Sequence, residues 1–145
     1  MVHELYQETI LDHSKRPRNC HAMADADRKA EGYNPLCGDK LKLYVKMDGD
    51  IVRDASFEGS GCAISTASAS LMTESLKGKT KEDAIILLDK FHDLLTTDSP
   101  AAKDLGELVV FCGVRDYPAR VKCATLAWHT LRSALDGVDT PVSTE

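Results

Sequence analysis

The stretch that decides the fold is residues 40–59, "KLKLYVKMDGDIVRDASFEG". Its first half alternates between apolar and polar positions, which is typical of a β-strand with one buried face. The apolar positions are Leu41, Leu43, Val45 and Met47. Asp48 and Gly49 then form a strong signal for a hairpin turn. The second half is predicted to return as the antiparallel partner, and one of its sides is formed by Ile51, Arg53, Ala55 and Phe57.

Helices are predicted on both sides of this hairpin. Upstream, residues 3–15, "HELYQETILDHSK", carry apolar side chains at helical spacing, and Pro17 marks a stop shortly after them. Downstream, residues 62–77, "CAISTASASLMTESLK", are rich in alanine, serine and threonine. Such small side chains allow a helix to lie close to a neighbouring backbone, and Gly78 stands where a C-terminal cap is expected.

The last part of the chain is also predicted to be helical. One helix begins at Thr80, with Asp83 placed as in a capping box. A second begins at Ser99 and Pro100 as N-cap and first helical residue, and it extends over "PAAKDLGELVVF" to Phe111. The long stretch "YPARVKCATLAWHTLRSALDG" is the last helix and ends at Gly137.

The order of helix, sheet and several helices predicts an α+β fold in which helices pack on a small antiparallel sheet. Residues 19–34 fit either a loop or a short edge strand. A length of 145 residues suits one domain, which we place at 1–137, followed by a polar tail at 138–145.

The composition of the chain limits which partners it is expected to bind and in which compartment it is expected to lie. The formal net charge of −5 disfavours binding to nucleic acid or to an anionic membrane. The N-terminus lacks the pattern of a signal peptide, and the apolar runs are too short to span a bilayer. We therefore expect a cytoplasmic protein. Five cysteines, an odd number, are then unlikely to form a disulfide framework.

Three of the cysteines stand at boundaries of predicted elements. Cys37 lies in "NPLCGD", just before the first strand, Cys62 opens a helix after "GSG", and Cys123 lies near the start of the last helix. Asp39 is separated from Cys37 by one glycine, which can turn both side chains towards one centre. Three sulfurs and one carboxylate suit tetrahedral zinc. The spacing alone is a moderate signal, since it contains no CxxC pair.

Less specific interpretations stand beside the metal site. Asp39 is equally well explained as a turn former, and Cys62 as a buried thiol in a tight turn. Cys112, within "LVVFCGV", is predicted to be a small buried hydrophobe, and Cys20 a loop residue without chemistry. No histidine belongs to a local cysteine motif; His129 and its neighbour Trp128 are expected at the surface or in ordinary packing.

Four stretches together resemble one family: "LYQETILDHSKRPRN", "NPLCGD", "EGSGCAISTASASLM" and "YPARVKCATLAWHTL". They are similar to the NifU/IscU-like iron–sulfur cluster assembly proteins, and within that family to the SufU branch, from about Leu5 to about Asp136. The resemblance implies a small antiparallel sheet packed by helices, in agreement with the fold class above.

Three features bear on the branch. IscU-type scaffolds have a histidine ligand just before the last cysteine, whereas this chain has Lys122, whose ammonium offers no lone pair. The segment from about Asp93 to Gly113 is similar to an insertion of the SufU branch. "YPARVK" stands where IscU-type scaffolds have the LPPVK-type motif that engages their chaperone, which puts that partnership in doubt.

The resemblance implies a zinc-dependent sulfur relay. Zinc would be bound by Cys37, Asp39, Cys62 and Cys123. The partner would be a pyridoxal-phosphate cysteine desulfurase of the SufS type, whose persulfide sulfur passes to Cys37 while a partner histidine takes the place of Cys37 on the metal. The SUF scaffold complex would be the recipient. Arg120 either stabilises the freed thiolate or is simply an exposed helix residue.

Two other functions compete with the sulfur relay. One is a scaffold on which a labile iron–sulfur cluster is built on the same residues and then transferred. The other is a zinc-stabilised interaction module without sulfur chemistry.

Overall fold

The computed structural model describes residues 2–35, 38–96, 105–137 and 142–143. Within these ranges the chain forms four α-helices, one 3-10 helix and four strands. In chain order they are α1 (Val2–Lys15), β1 (Arg28–Asn34), β2 (Asp39–Asp48), β3 (Ile51–Ser60), α2 (Ala63–Leu76), α3 (Lys81–Thr96), the 3-10 helix (Gly106–Asp116), α4 (Pro118–Asp136) and β4 (Val142–Ser143). The predicted α+β class is confirmed.

The strands form one sheet in the order β3-β2-β1-β4. The predicted hairpin is confirmed, because β2 and β3 are antiparallel. Gly49 in their turn has a φ of +63°, which residues other than glycine rarely adopt. Of the two alternatives for residues 19–34, a strand is formed by Arg28–Asn34, which pairs antiparallel with β2 along its whole length.

A β-bulge changes the predicted faces of β3. Lys46 pairs with Asp54 but Met47 pairs with Val52, so Arg53 is an extra residue between two ladder pairs. The alternation therefore shifts by one position, which buries Val52 completely and leaves Ile51 45% exposed. The prediction that Ile51 and Arg53 share one side with Ala55 and Phe57 is wrong for this reason.

Short β4 lies beside β1. Val142 and Ser143 pair in parallel with Gly32 and Tyr33. Both residues belong to the predicted polar tail, and the domain boundary at residue 137 stays a prediction.

The helix boundaries follow the expected capping residues. Asp83 donates its backbone N–H to the Thr80 hydroxyl at 3.0 Å, and α4 has Pro118 in its first turn. Gly78 and Gly137, with φ of +85° and +71°, follow the ends of α2 and α4.

The helix predicted from Ser99 has a different form where the structure describes it. Its predicted cap at Ser99 and Pro100 lies outside the described residues. From Gly106 to Asp116 the backbone is a 3-10 helix, where we expected an α-helix through Phe111.

One face of the sheet is covered by α2 and α4. The two helices approach closely enough for the Ser68 hydroxyl of α2 to donate to the carbonyl oxygen of Ala124 at 2.5 Å. Trp128 of α4 donates its indole N–H to the same hydroxyl at 3.1 Å and stacks on Phe91 with ring centroids 4.6 Å apart. Trp128 therefore belongs to the core. No helix in the described ranges combines the length and the apolar character that a membrane span needs.

Candidate metal centre

The motif "NPLCGD" spans the connection between β1 and β2. Asn34 and Asp39 face each other as the last pair of the β1–β2 ladder, and residues 35–38 stand between them in the sequence. Gly38 has a φ of +72°, in the left-handed region that favours glycine. Cys37 lies outside the described residues, but chain continuity keeps it two residues from Asp39.

Three of the predicted ligands come together. Asp39 at the start of β2, Cys62 just before α2 and Cys123 in α4 offer ligand atoms that all lie within 4.8 Å of one another. Cys62 Sγ is 4.0 Å from Asp39 Oδ2. Asp39 and Cys123 are buried, with 1% and 3% of their surfaces exposed, whereas Cys62 is partly exposed.

Asp39 is held by the residues that precede α2. Its Oδ1 atom accepts a hydrogen bond from the Cys62 backbone N–H at 2.8 Å. Gly61 makes this approach feasible, since a Cβ atom there would lie 2.5 Å from the same oxygen. Gly59 is similarly constrained, because its Cβ would lie 2.1 Å from the Lys40 carbonyl oxygen. In the sequence, the glycines of "EGSGC" indicated only a boundary between elements. In the structure they allow the close approach of the Asp39 carboxylate and of the Lys40 carbonyl oxygen.

Cys62 is the N-cap of α2. Its sulfur accepts a hydrogen bond from the Ser65 backbone N–H at 3.4 Å. The exposed N–H groups and the positive end of the helix dipole favour negative charge there.

Cys123 is contacted by a residue that sequence reasoning missed. The Asn34 side-chain nitrogen donates to Cys123 Sγ over 3.7 Å, and Asn34 is fully buried. The available signal was its position as the first residue of "NPLCGD". A buried amide next to a candidate metal ligand is the kind of supporting contact that metal sites use.

The donor set fits zinc. Zinc binds cysteine sulfur at about 2.3 Å and carboxylate oxygen at about 2.0–2.2 Å, which places a sulfur and an oxygen ligand roughly 3.5 Å apart in a tetrahedron. The 4.0 Å between Cys62 Sγ and Asp39 Oδ2 differs from this by a small side-chain rotation. Across residues 2–35, 38–96, 105–137 and 142–143, no other three histidine, cysteine or acidic side chains come as close.

The remaining cysteines lie elsewhere. Cys20 is exposed, and its backbone forms an isolated bridge to Phe57. Cys112 is partly buried and packs against the core, the packing function expected of it. Close to Cys123 in the sequence, Arg120 is exposed and Lys122 partly buried in the first turns of α4.

The described histidines do not join the cysteine group. His129 of α4 and His92 of α3 have ring centroids 6.3 Å apart, and burial lowers the pKa of His129. His13 of α1 is buried and hydrogen-bonded to the Ser70 hydroxyl at 2.7 Å. The group formed by Asp39, Cys62 and Cys123 thus contains no histidine.

Comparison with known proteins identifies the family. Residues 5–124 match the family described as the NifU-like N terminal domain. The chain is 44% identical over 135 residues to the iron–sulfur cluster assembly scaffold protein IscU of Streptococcus pyogenes, covering 92% of this chain and 84% of that protein. It is 45% identical over 132 residues to the zinc-dependent sulfurtransferase SufU of Bacillus subtilis, covering 90% and 89%.

A solved structure shows the same fold. The putative scaffold protein FiSufU of Fervidobacterium islandicum superimposes with a TM-score of 0.83 at 40% identity, covering 92% of this chain and 98% of that one. The sequence match extends across the candidate metal centre, from "NPLCGD" to Cys123. The chain belongs to the NifU-like N-terminal domain family.

Proposed function

We propose that this protein accepts sulfur for iron–sulfur cluster assembly at a zinc site formed by Cys37, Asp39, Cys62 and Cys123. The observation that carries the proposal is the convergence of the last three of these residues, of which Asp39 follows Cys37 by two positions in the sequence. One buried thiol, one thiol at a helix N-cap and one carboxylate leave the fourth position of a tetrahedral zinc for Cys37.

Two further features support the sulfur acceptor. One of the most similar curated relatives is a zinc-dependent sulfurtransferase, SufU of Bacillus subtilis. The position before Cys123 is Lys122, and a charged ammonium cannot serve as a cluster ligand in the way a histidine can. The metal would then have four protein ligands without Lys122, as zinc prefers.

Three of the four proposed ligands have the role of retaining the metal, and the fourth has the role of reacting. Zinc, when bound, keeps the cysteine sulfurs deprotonated and protected at neutral pH. Asp39, Cys62 and Cys123 stay in place because the start of β2 and the starts of two helices hold them. Cys37 stands in the sequence between the end of β1 at Asn34 and the start of β2 at Asp39. We therefore assign to Cys37 the role of the ligand that leaves to react.

Sulfur transfer needs no external oxidant. The donor is a persulfide on the cysteine of a pyridoxal-phosphate cysteine desulfurase. The Cys37 thiolate attacks the outer sulfur of this persulfide, forming a new S–S bond. The old S–S bond breaks, and its electron pair stays on the desulfurase cysteine, which leaves as a thiolate. The outer sulfur keeps its proton, and Cys37 becomes the persulfide.

The direct test is a Cys37→Ala variant. We expect it to lose both sulfur acceptance and stimulation of a SufS-type desulfurase, measured as sulfide or alanine released from cysteine. The matched control is Cys20→Ala, because Cys20 is an exposed thiol outside the ligand group. Unchanged stimulation by Cys37→Ala would overturn the proposal and leave a zinc-stabilised interaction module as the better description.

A second candidate is a scaffold for a labile iron–sulfur cluster. It is favoured by the IscU of Streptococcus pyogenes, which is as similar to this chain as the SufU relative is. Metal analysis of protein purified without oxygen separates the two. The acceptor predicts one zinc per chain, whereas the scaffold predicts iron with acid-labile sulfide and a cluster that transfers intact to an apo-acceptor.

Downstream, the persulfide sulfur would pass to the SUF scaffold complex. A labelled-sulfur chase tests this step: Cys37 is loaded with radioactive sulfur and mixed with the scaffold complex. Label that moves to the complex supports the relay, and label that stays on this chain contradicts that recipient.

A further inference from the structure

We propose that Asn34 is a positioning residue that keeps Cys123 on the metal while Cys37 takes up sulfur. The inference rests on the proposed sulfur acceptor and explains a selectivity which that function requires. Three cysteines surround one centre, yet only one of them should react with the persulfide. Something in the fold must distinguish the retained sulfurs from the one that leaves.

Backbone pairing fixes the place of Asn34. It is the last residue of β1 and pairs with Asp39 across the ladder, three residues before Cys37 in the sequence. Its side chain is fully buried, and its Nδ2 atom lies 3.7 Å from Cys123 Sγ. Asn34 therefore connects the end of β1 to α4, the helix that contains Cys123.

The chemistry of the contact determines its direction. A thiolate only accepts hydrogen bonds, so the amide presents its nitrogen to the sulfur and its oxygen elsewhere. A bond to a charged acceptor is stronger than a bond between neutral groups, and a buried setting strengthens it further. Donation draws electron density from the sulfur, which makes it a poorer nucleophile.

The sulfur of Cys62 also accepts a hydrogen bond, but from a different donor. Its sulfur accepts the Ser65 backbone N–H at 3.4 Å, at the N-terminus of α2. Each sulfur in the described part of the site thus has an N–H donor that the fold supplies. For Cys62 the donor is backbone and independent of side-chain identity, whereas for Cys123 it is the side chain of Asn34.

Only some side chains could replace Asn34. Aspartate has the same shape, but it would place a carboxylate against the thiolate in a buried site, which is repulsive. Leucine has a similar size but no donor. These two substitutions separate the hydrogen bond from the volume that the side chain fills.

The first measurement is zinc affinity, determined by competition with a chromophoric chelator. Groups that support metal ligands typically contribute about 10–100-fold to affinity, and we expect a loss in that range for Asn34→Leu. Asn34→Asp should bind zinc more weakly still. Ser56→Ala is the matched control, since Ser56 is a buried strand residue whose hydroxyl has no hydrogen-bond partner in the described ranges.

The second measurement locates the persulfide. Wild-type and variant proteins are incubated with a cysteine desulfurase and cysteine, the thiols are blocked, and peptides are analysed by mass spectrometry. We expect the extra sulfur on Cys37 alone in the wild type. In Asn34→Leu we expect it on Cys123 as well. If Asn34 merely filled space, the extra sulfur would stay on Cys37 alone in Asn34→Leu. Asn34→Asp would then not bind zinc more weakly than Asn34→Leu.

The outcomes are distinguishable. Wild-type zinc affinity together with persulfide on Cys37 alone in both Asn34 variants would overturn the inference. Absence of persulfide from wild-type Cys37 would overturn the proposed acceptor, while the zinc affinities would still decide whether Asn34 supports Cys123. Trp128 is the single tryptophan, and its fluorescence checks that each variant is folded before its affinity is compared.

Discussion

Asp39 Oδ1 accepts the backbone N–H of Cys62 at 2.8 Å, while Asp39 Oδ2 faces the sulfur of the same residue at 4.0 Å. One carboxylate thus ties the start of β2 to the start of α2 and also offers an oxygen to a metal. The structural contact uses one oxygen and the candidate ligand contact uses the other, so the two functions are separable by substitution.

Asp39→Asn tests this separation. Asparagine keeps an oxygen for the Cys62 N–H but loses the negative charge that a zinc ligand provides. We expect thermal unfolding within a few degrees of the wild type and a zinc affinity reduced by more than about tenfold. Asp39→Ala should lower both the unfolding temperature and the zinc affinity. It leaves the Cys62 N–H without its acceptor, which reduces the free energy of unfolding by about 1–3 kcal/mol. Equal zinc affinity in wild type and Asp39→Asn would remove Asp39 from the ligand set.

Gly61→Ala tests the close approach that positions Asp39. A Cβ atom at residue 61 would lie 2.5 Å from Asp39 Oδ1, so the carboxylate or the backbone must shift. Crowding of this kind costs about 1–3 kcal/mol, and the shift should also weaken zinc binding. Calorimetric unfolding and chelator competition measure the two effects. The neighbouring exposed residue supplies a control, Ser60→Ala, which should behave as the wild type. An unaltered Gly61→Ala protein would show that Asp39 is not held in this way.

The buried histidine His13 predicts a pH dependence of stability. Burial lowers its pKa from the ordinary value of 6.5, and the positive charge of Arg18 lowers it further, against the opposing effect of Glu107. The unfolded chain therefore binds a proton at a higher pH than the folded chain does. Consequently the free energy of unfolding should decrease as the pH falls below about 6.5 towards the lowered pKa.

A His13→Asn variant checks the source of this slope. Asparagine retains a polar group near Ser70 but does not titrate, so the decrease between pH 7 and pH 5 should be smaller than in the wild type. His129 has a pKa that burial also lowers, so part of the decrease should remain. Urea unfolding followed by Trp128 fluorescence provides the measurement, and exposed His21→Asn is the control. Identical slopes in wild type and His13→Asn would contradict the prediction.

Features that depend on neighbouring residues could be predicted from the sequence. The alternation of residues 40–47 shows which face of β2 is buried, because successive strand side chains point to opposite sides. Asp48-Gly49 predicts the hairpin turn, and Gly137 predicts the end of α4, because glycine tolerates the backbone angles both sites require. The boundary positions of the cysteines followed from these elements.

Features that depend on pairing between distant segments could not be predicted in this way. Residues 28–34, "RKAEGYN", have no strong strand pattern and become β1 because β2 offers a complementary backbone. The bulge at Arg53 depends on how many residues each strand contributes between ladder pairs. The sequence of β3 alone does not show how many residues lie between its ladder pairs.

The candidate site shows the same division. The sequence by itself determined the residue types of a candidate metal site and placed each at the edge of an element. Only the tertiary structure brought Cys62 to Asp39 across 23 residues and Asn34 to Cys123 across 89. Hydrogen bonds and metal ligation act over a few ångströms of space irrespective of separation along the chain. Only the folded chain therefore shows that the Asp39 carboxylate, besides accepting the Cys62 backbone N–H, lies within reach of two cysteine sulfurs.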